Sequence, residues 1–176
     1  MAEANDDKNR LKINYFHMKK GVILLVCVFA FSLGTSAQVF DKNALGIKFG
    51  GTFGDLSGTV AQISYQRGLN SVNRLEFNLS ANFNDDGSLG FGGAYQWVWN
   101  IDGGFNWYIG PGANIDFVNT KGGGTEMLMG VGGMLGIEYR FPEVPFQLSL
   151  DINPTFGLIN RSGLFTGIGF GVRFCF

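Results

Sequence analysis

The end of the chain shows a strict alternation that limits what it can fold into. From Leu164 to Phe176, every second position is apolar or threonine, and the positions between them hold Phe165, three glycines, Arg173 and Cys175. Successive side chains of a β-strand point to opposite faces, so this segment is predicted to be a strand with one apolar face. A strand of a soluble protein seldom carries its apolar row to the last residue. The final segment is therefore expected to need an apolar environment along its whole length.

The same period of two residues recurs earlier in the chain and predicts an all-β fold. The predicted strands are 44–53, 58–67, 73–83, 88–100, 103–117, 125–141, 145–158 and 164–176. Glycine, Asn, Asp and Pro cluster between these segments, as they do in tight turns. No linker divides the series. Eight strands joined by short turns favour one domain, an antiparallel up-and-down β-barrel.

A basic and apolar segment near the start of the chain predicts export. Lys19 and Lys20 precede an apolar run over residues 21–33, and small residues follow it up to Ala37. This pattern is typical of a secretory signal peptide with cleavage between Ala37 and Gln38. The apolar run is shorter than the roughly 20 residues that a membrane-spanning helix needs.

This leader sets the predicted domain organisation. Residues 1–17 are interpreted as a non-native or misassigned extension, 18–37 as the signal peptide and 38–176 as the barrel domain. Lipid attachment at Cys27 is the weaker alternative, because the preceding Val26 is larger than the residue that a lipoprotein signal has there.

The direction in which the apolar face points distinguishes a soluble barrel from a membrane barrel. An eight-stranded barrel has room inside for little more than its own side chains, and the apolar face carries several large residues on most strands. The opposite face is mostly Asn, Ser, Gln and Gly, not the Lys and Glu of a solvated surface. We therefore predict a transmembrane β-barrel whose apolar face contacts lipid and whose polar face lines the lumen.

Aromatic residues on the apolar face support a membrane barrel, because such barrels carry aromatic girdles at both interfaces. The interface aromatics predicted at the end that holds the N-terminus are Tyr65, Trp97, Trp99, Trp107, Tyr139 and Phe174. The segment from Phe91 to Trp99 would span roughly 20 Å along the membrane normal at ~3.3 Å per residue and ~40° tilt. That separation is close to the ~25 Å apolar band of outer-membrane barrels.

The predicted lumenal face carries charges of both signs. The candidate network residues are Lys48, Glu76, Glu138, Arg140, Asp151 and Arg173. Buried charges must pair, because an unpaired charge in so small an interior carries a penalty of several kcal/mol. Counting along neighbouring strands predicts a network centred on Arg173 with Asp151 and Glu138. Such a network is expected to close the lumen as a plug. A proton path through it is the less favoured interpretation.

Together these features resemble the small eight-stranded outer-membrane barrels of Gram-negative bacteria, the outer-membrane protein A and X type. The strand Asn106–Gly112 and the segment Pro145–Pro154 are similar to small barrels of that group. The resemblance implies a location in the cell outer membrane, contact with outer-membrane lipid, and recognition of Phe176 as an assembly signal by the barrel-assembly machinery. The predicted outer loops are short, which argues against adhesion through long loops.

The sequence favours a role that is not catalytic. Residues 38–176 contain no histidine, and Cys175 is their one cysteine, so the nucleophile and base pairs of hydrolases and acyltransferases have no obvious source. No cofactor and no metal site are predicted, and the small acidic excess predicts no nucleic-acid partner. The favoured function is an envelope scaffold or complex-docking barrel with a side-chain-filled lumen and an unidentified protein partner. The alternatives are a porin-like channel for ions or small solutes and, less favoured, a lipid-modifying enzyme.

Overall fold

The computed structural model describes residues 42–54, 57–83, 87–119, 123–160 and 162–176. The predicted extension, the signal peptide and its cleavage site between Ala37 and Gln38 lie outside these residues. Within the described ranges, no helix is long and apolar enough to cross a membrane.

Eight antiparallel strands form a closed barrel in sequence order. The strands are β1 (Asn43–Phe53), β2 (Gly58–Gly68), β3 (Asn73–Asn82), β4 (Ser88–Asp102), β5 (Phe105–Asn119), β6 (Thr125–Arg140), β7 (Phe146–Ile159) and β8 (Gly163–Cys175). The predicted fold class is confirmed, and the predicted strands differ from these by a few residues at their ends. The fifth strand begins later than predicted because Gly103, with a φ of 52°, and Gly104 form the turn that precedes it.

The barrel closes through pairing of β1 with β8, from Ala44 opposite Cys175 to Phe53 opposite Thr166. Two further main-chain hydrogen bonds extend this seam beyond β8. The amide of Asn43 donates to the carbonyl of Phe176 at 3.0 Å, and the amide of Phe176 donates to the carbonyl of Asn43 at 2.8 Å. Phe176 therefore belongs structurally to the closing seam.

The two faces of the barrel wall have opposite chemistry. On β7, Leu150 and Ile152 are 49% and 42% exposed on the outside, whereas Asp151 between them is 1% exposed inside. The same alternation recurs along the strands, so that large apolar side chains face outward and mostly polar side chains face the interior, where Ala94, Val98 and Met134 are buried exceptions. A soluble barrel has the reverse arrangement, because water favours polar groups on the outer surface. The observed distribution is the one that an apolar solvent favours.

Candidate functional site

Six charged side chains lie inside the barrel, in the half nearer to Asn43 and Phe176. The charge cluster consists of Lys48, Arg74, Glu76, Glu138, Asp151 and Arg173, all between 0% and 3% exposed. Three cations face three carboxylates, so the cluster is formally neutral. This balance is what a low-dielectric interior demands, because each buried charge needs an opposite charge or several hydrogen bonds.

Glu76 is the centre of the charge cluster. Its Oε1 accepts from Lys48 Nζ and from Arg173 Nη2, both at 3.1 Å. Its Oε2 accepts from the side-chain amides of Gln66 at 2.8 Å and Gln96 at 3.0 Å. The side-chain amide of Asn78 also donates to Oε1, at 3.2 Å. Two cations and three amides thus converge on one carboxylate, and charge-assisted hydrogen bonds of this kind are stronger than neutral ones.

Lys48 links Glu76 to the second carboxylate of the cluster. Its Nζ lies 2.8 Å from Asp151 Oδ2 as well as 3.1 Å from Glu76 Oε1. The hydroxyl of Tyr108, itself fully buried, donates to Asp151 Oδ2 at 2.9 Å. The ammonium therefore holds together strands that lie on different sides of β1.

Arg74 and Glu138 form a second ion pair beside this group. Arg74 Nη2 lies 2.6 Å from Glu138 Oε2, and the amide of Gln147 donates to the same carboxylate oxygen at 2.7 Å. The guanidinium of Arg74 also lies over the ring of Tyr108, 4.7 Å from its centroid. Tyr108 thus contacts both parts of the cluster and joins them.

The strand register explains why these charges reach across the lumen instead of pairing with direct neighbours. Lys48 is opposite Gly171 on β8 and Gln62 on β2, and Asp151 is opposite Gly136 and Gly169. None of the four ion pairs joins residues on adjacent strands.

Gly136, opposite Asp151, and Gly171, opposite Lys48, leave space that the side chains of the charge cluster require. A Cβ atom at Gly136 would lie 2.5 Å from the Tyr108 hydroxyl, and one at Gly171 would lie 3.0 Å from Cγ of Lys48. Glycine beside each charge therefore gives the long side chains room to cross the interior.

The structure corrects the expected partners of Arg173. Arg173 Nη2 lies 3.1 Å from Glu76 Oε1, whereas Asp151 pairs with Lys48 and Glu138 pairs with Arg74. Arg173 Nε and Nη1 donate to the hydroxyls of Ser64 and Ser149 at 3.0 and 2.8 Å. Counting neighbouring strands failed here because a guanidinium on β8 spans the lumen as far as β3.

The charge cluster differs from the predicted network at two residues. Arg140, expected in the network, is half-buried at the last position of β6 and lies outside the buried cluster. Arg74 was missed by sequence reasoning, although it has the same alternation phase as Glu76 two positions later. The period-2 pattern, extended one step toward the start of β3, would have found it.

The other half of the lumen departs from the expectation of a filled interior. A cavity of about 170 Å³ lies there, lined by polar side chains and by glycines such as Gly92 and Gly167. The description of the lumen as filled with side chains is therefore wrong for this half and holds for the half that contains the charge cluster.

The outward aromatic residues form contacts between neighbouring strands at one end of the barrel. Trp99 and Trp107 stack with ring centroids 4.6 Å apart, and Phe105 packs against Tyr139 at 4.5 Å. A further ring pair joins Phe146 on β7 to Phe174 on β8, and Tyr95 packs against Trp97 within β4. The hydroxyl of Tyr65 donates to Asn43 Oδ1 at 2.8 Å. The six predicted interface aromatics thus lie on the outer wall.

Comparison with solved structures supports the same architecture. The N-terminal β-barrel domain of Pseudomonas aeruginosa OprF matches with a TM-score of 0.63 and 17% sequence identity, covering 77% of this chain and 99% of that domain. Neisserial surface protein A matches with a TM-score of 0.58 at 17% identity, covering 76% of this chain and 96% of that one.

The chain has the fold of the eight-stranded outer-membrane barrels. Ail, the attachment invasion locus protein of Yersinia pestis, is similar too, with a TM-score of 0.50 and 10% identity over 78% of this chain and 100% of that chain. No protein-family model and no curated protein sequence matches the chain. At these identities the likeness concerns the fold, and function must be argued from the lumen and the outer wall.

Proposed function

We propose that this protein is a non-catalytic integral barrel of the outer membrane, with a lumen closed to ions and a structural or complex-docking role in the envelope. The outward apolar wall supports a membrane location, because removing apolar surface from water is favourable by about 25 cal/mol of free energy per Å². The signal peptide predicted over residues 18–37 supports export to the envelope.

The charge cluster is the observation that carries the closed lumen. Its six side chains are essentially inaccessible to water, and four ion pairs connect β1, β3, β6, β7 and β8 across the interior. A hydrated ion passing through would have to separate these pairs. Breaking a buried pair by removing one partner typically costs about 3–5 kcal/mol, which makes an open path costly.

The closed lumen predicts that the purified barrel will not conduct. In planar bilayers with potassium chloride, the wild-type protein should show no stable single-channel steps. The variant in which Lys48, Glu76 and Arg173 are all replaced by Ser should show steps, because it empties the centre of the cluster while leaving Arg74 and Glu138 paired. Steps from this variant would also show that the barrel inserts into the bilayer under the conditions used.

Stable wild-type conductance would favour the alternative function, a small-solute or ion channel. The cavity of about 170 Å³ is the observation that supports this alternative, because it leaves part of the lumen unfilled by side chains. The bilayer experiment separates the two functions, since a scaffold barrel and a channel share every other feature described above. Copurification from the native envelope would identify a docking partner.

We further propose that Phe176 contributes to assembly in the outer membrane. Its main chain closes the seam with Asn43, and its ring stacks near that of Phe174 with centroids 6.2 Å apart. Its side chain is 58% exposed on the outer wall, whereas the neighbouring Cys175 is 5% exposed inside.

Replacing Phe176 by Ser should therefore reduce the amount of folded barrel recovered from outer membranes, while Cys175→Ser should leave it close to wild type. The two variants introduce the same residue at adjacent positions on opposite faces. Protease-resistant barrel in isolated outer membranes is the measurement. Equal recovery of the two variants would remove the proposed role of the Phe176 side chain.

A further inference from the structure

The cavity in the half of the lumen away from the charge cluster is formed by absent side chains. Gly92 and Gly167 line it from β4 and β8. A Cβ atom built at Gly92 would come no closer than 3.7 Å to another atom, and one at Gly167 no closer than 3.8 Å. The chain therefore leaves space at these positions that a larger side chain could occupy. The volume of about 170 Å³ is well above the ~10–15 Å³ that a cavity needs to hold one water.

The lining of this cavity combines apolar surface with polar groups that are almost all uncharged. The carboxamide residues that line it are Gln62, Asn78, Asn82, Asn114 and Asn153. A carboxamide offers both donors and an acceptor, and the hydroxyls of Ser80 and Thr155 add groups of the same dual character. Phe165 provides one aromatic wall. Lumenal side chains of this kind suit a ligand that both donates and accepts hydrogen bonds.

Two buried oxygens of the lining lack a donor among the described residues. Asn78 and Asn153 each turn their amide nitrogen toward the charge cluster, donating to Glu76 at 3.2 Å and to Asp151 at 2.8 Å. Their Oδ1 atoms are buried and accept no hydrogen bond from the described part of the chain. A buried acceptor without a donor costs about 1–3 kcal/mol. Neither Oδ1 atom is accessible from the cavity, so a ligand there could donate to it only after the carboxamide turned.

The charges that border the cavity argue against an ionic ligand. The ammonium of Lys48 lies at the floor and disfavours a cation, although it is already held by Glu76 and Asp151. The carboxylate of Asp116, which accepts from the amide of Asn114, lies on the wall and disfavours an anion. One charge of each sign leaves no net preference for either.

We propose that this half of the lumen binds a neutral polyhydroxy solute of about the size of a single sugar ring. Its hydroxyl groups exchange hydrogen bonds with the carboxamides and hydroxyls of the lining, while the ring lies against Phe165. The site is independent of the proposed closed lumen, because a conducting barrel could hold the same solute in the same half.

The test is saturation-transfer nuclear magnetic resonance with D-glucose as the probe. The protein is folded in amine-oxide micelles, which contain no competing sugar. Wild type should transfer saturation to the glucose ring protons. Gly92→Leu fills the cavity and should weaken binding by about tenfold or more, equivalent to ~1.4 kcal/mol. Gly51→Leu is the matched control, because Gly51 is on the outward side of β1 and its Cβ would meet its nearest atom, Gly58 O, at 3.4 Å.

A second filling variant protects the test from a folding defect at one position. Gly167→Leu fills the same cavity from β8 and should give the same loss, with thermal unfolding of each variant recorded to show a folded barrel. Absence of transfer to glucose in wild type would overturn the proposal. Equal transfer in wild type and both filling variants would overturn it too, as would transfer to choline chloride without transfer to glucose.

Discussion

Replacing Glu76 by Gln is expected to lower the free energy of unfolding of the barrel in lipid vesicles by about 3–5 kcal/mol. Glu76 accepts from two cations and three amides, and the substitution keeps its shape while removing its charge. Lys48 would retain Asp151 at 2.8 Å. Arg173, which is 0% exposed, would lose its carboxylate and retain the hydroxyls of Ser64 and Ser149.

Urea unfolding monitored by tryptophan fluorescence measures this loss, and Glu126→Gln is the matched control. Glu126 is exposed near the start of β6, so the same change there should stay within about 0.5 kcal/mol of wild type.

The double variant Glu76→Gln with Arg173→Gln restores neutrality and should cost less than the sum of the single variants, by about 0.5–3 kcal/mol. Strictly additive losses would show that Glu76 and Arg173 do not interact in the folded barrel.

The fold follows from the sequence because one physical rule acts along the whole barrel wall. Every outward position meets the same apolar environment, so a period of two residues repeats on all eight strands, and Leu150, Asp151 and Ile152 show it in three consecutive positions. The ends of the strands are harder to predict from the sequence, because the alternation stops at turns. At Gly103–Gly104, the positive φ of Gly103 sets where the strand ends.

The composition of the charge cluster could be predicted from the sequence, but its pairing could not. Alternation assigns Lys48, Glu76 and Arg173 to the lumen, because each has the phase of the inward face. Choosing partners requires knowing how far each side chain extends across a closed barrel, and this depends on glycines at paired positions such as Gly136 and Gly171. Arg74 was harder to assign to the lumen, because it lies near the start of β3, where few alternating positions precede it.

The cavity was not predicted for a related reason. Glycine at Gly92 or Gly167 on the inward face has two possible consequences: it makes room for a neighbour, as Gly136 does for Tyr108, or it leaves space. Sequence spacing does not distinguish these outcomes, because both residues fit the same alternation. Only the positions of side chains across the lumen, such as Asn153 and Phe165, decide which of the two applies.

Replacing Leu150 by Arg is expected to reduce the free energy of unfolding in lipid vesicles by about 2–4 kcal/mol. Leu150 is 49% exposed on the outer wall and is paired with Ile137 on β6 and Phe170 on β8, both of which face outward as well. An arginine there would have no lumenal partner and would have to reach the interface from within the apolar band.

Leu164→Arg is the control that separates the effect of membrane depth from the effect of introducing an arginine. Leu164 is 69% exposed on the same outer wall but lies at the second position of β8, where an arginine near the interface should cost only about 0–1 kcal/mol. Both variants are compared with wild type by urea unfolding in the same vesicles. If Leu150→Arg proved no more costly than Leu164→Arg, Leu150 would not lie deep in lipid. The outer wall could then not be the membrane-facing surface on which the proposed function depends.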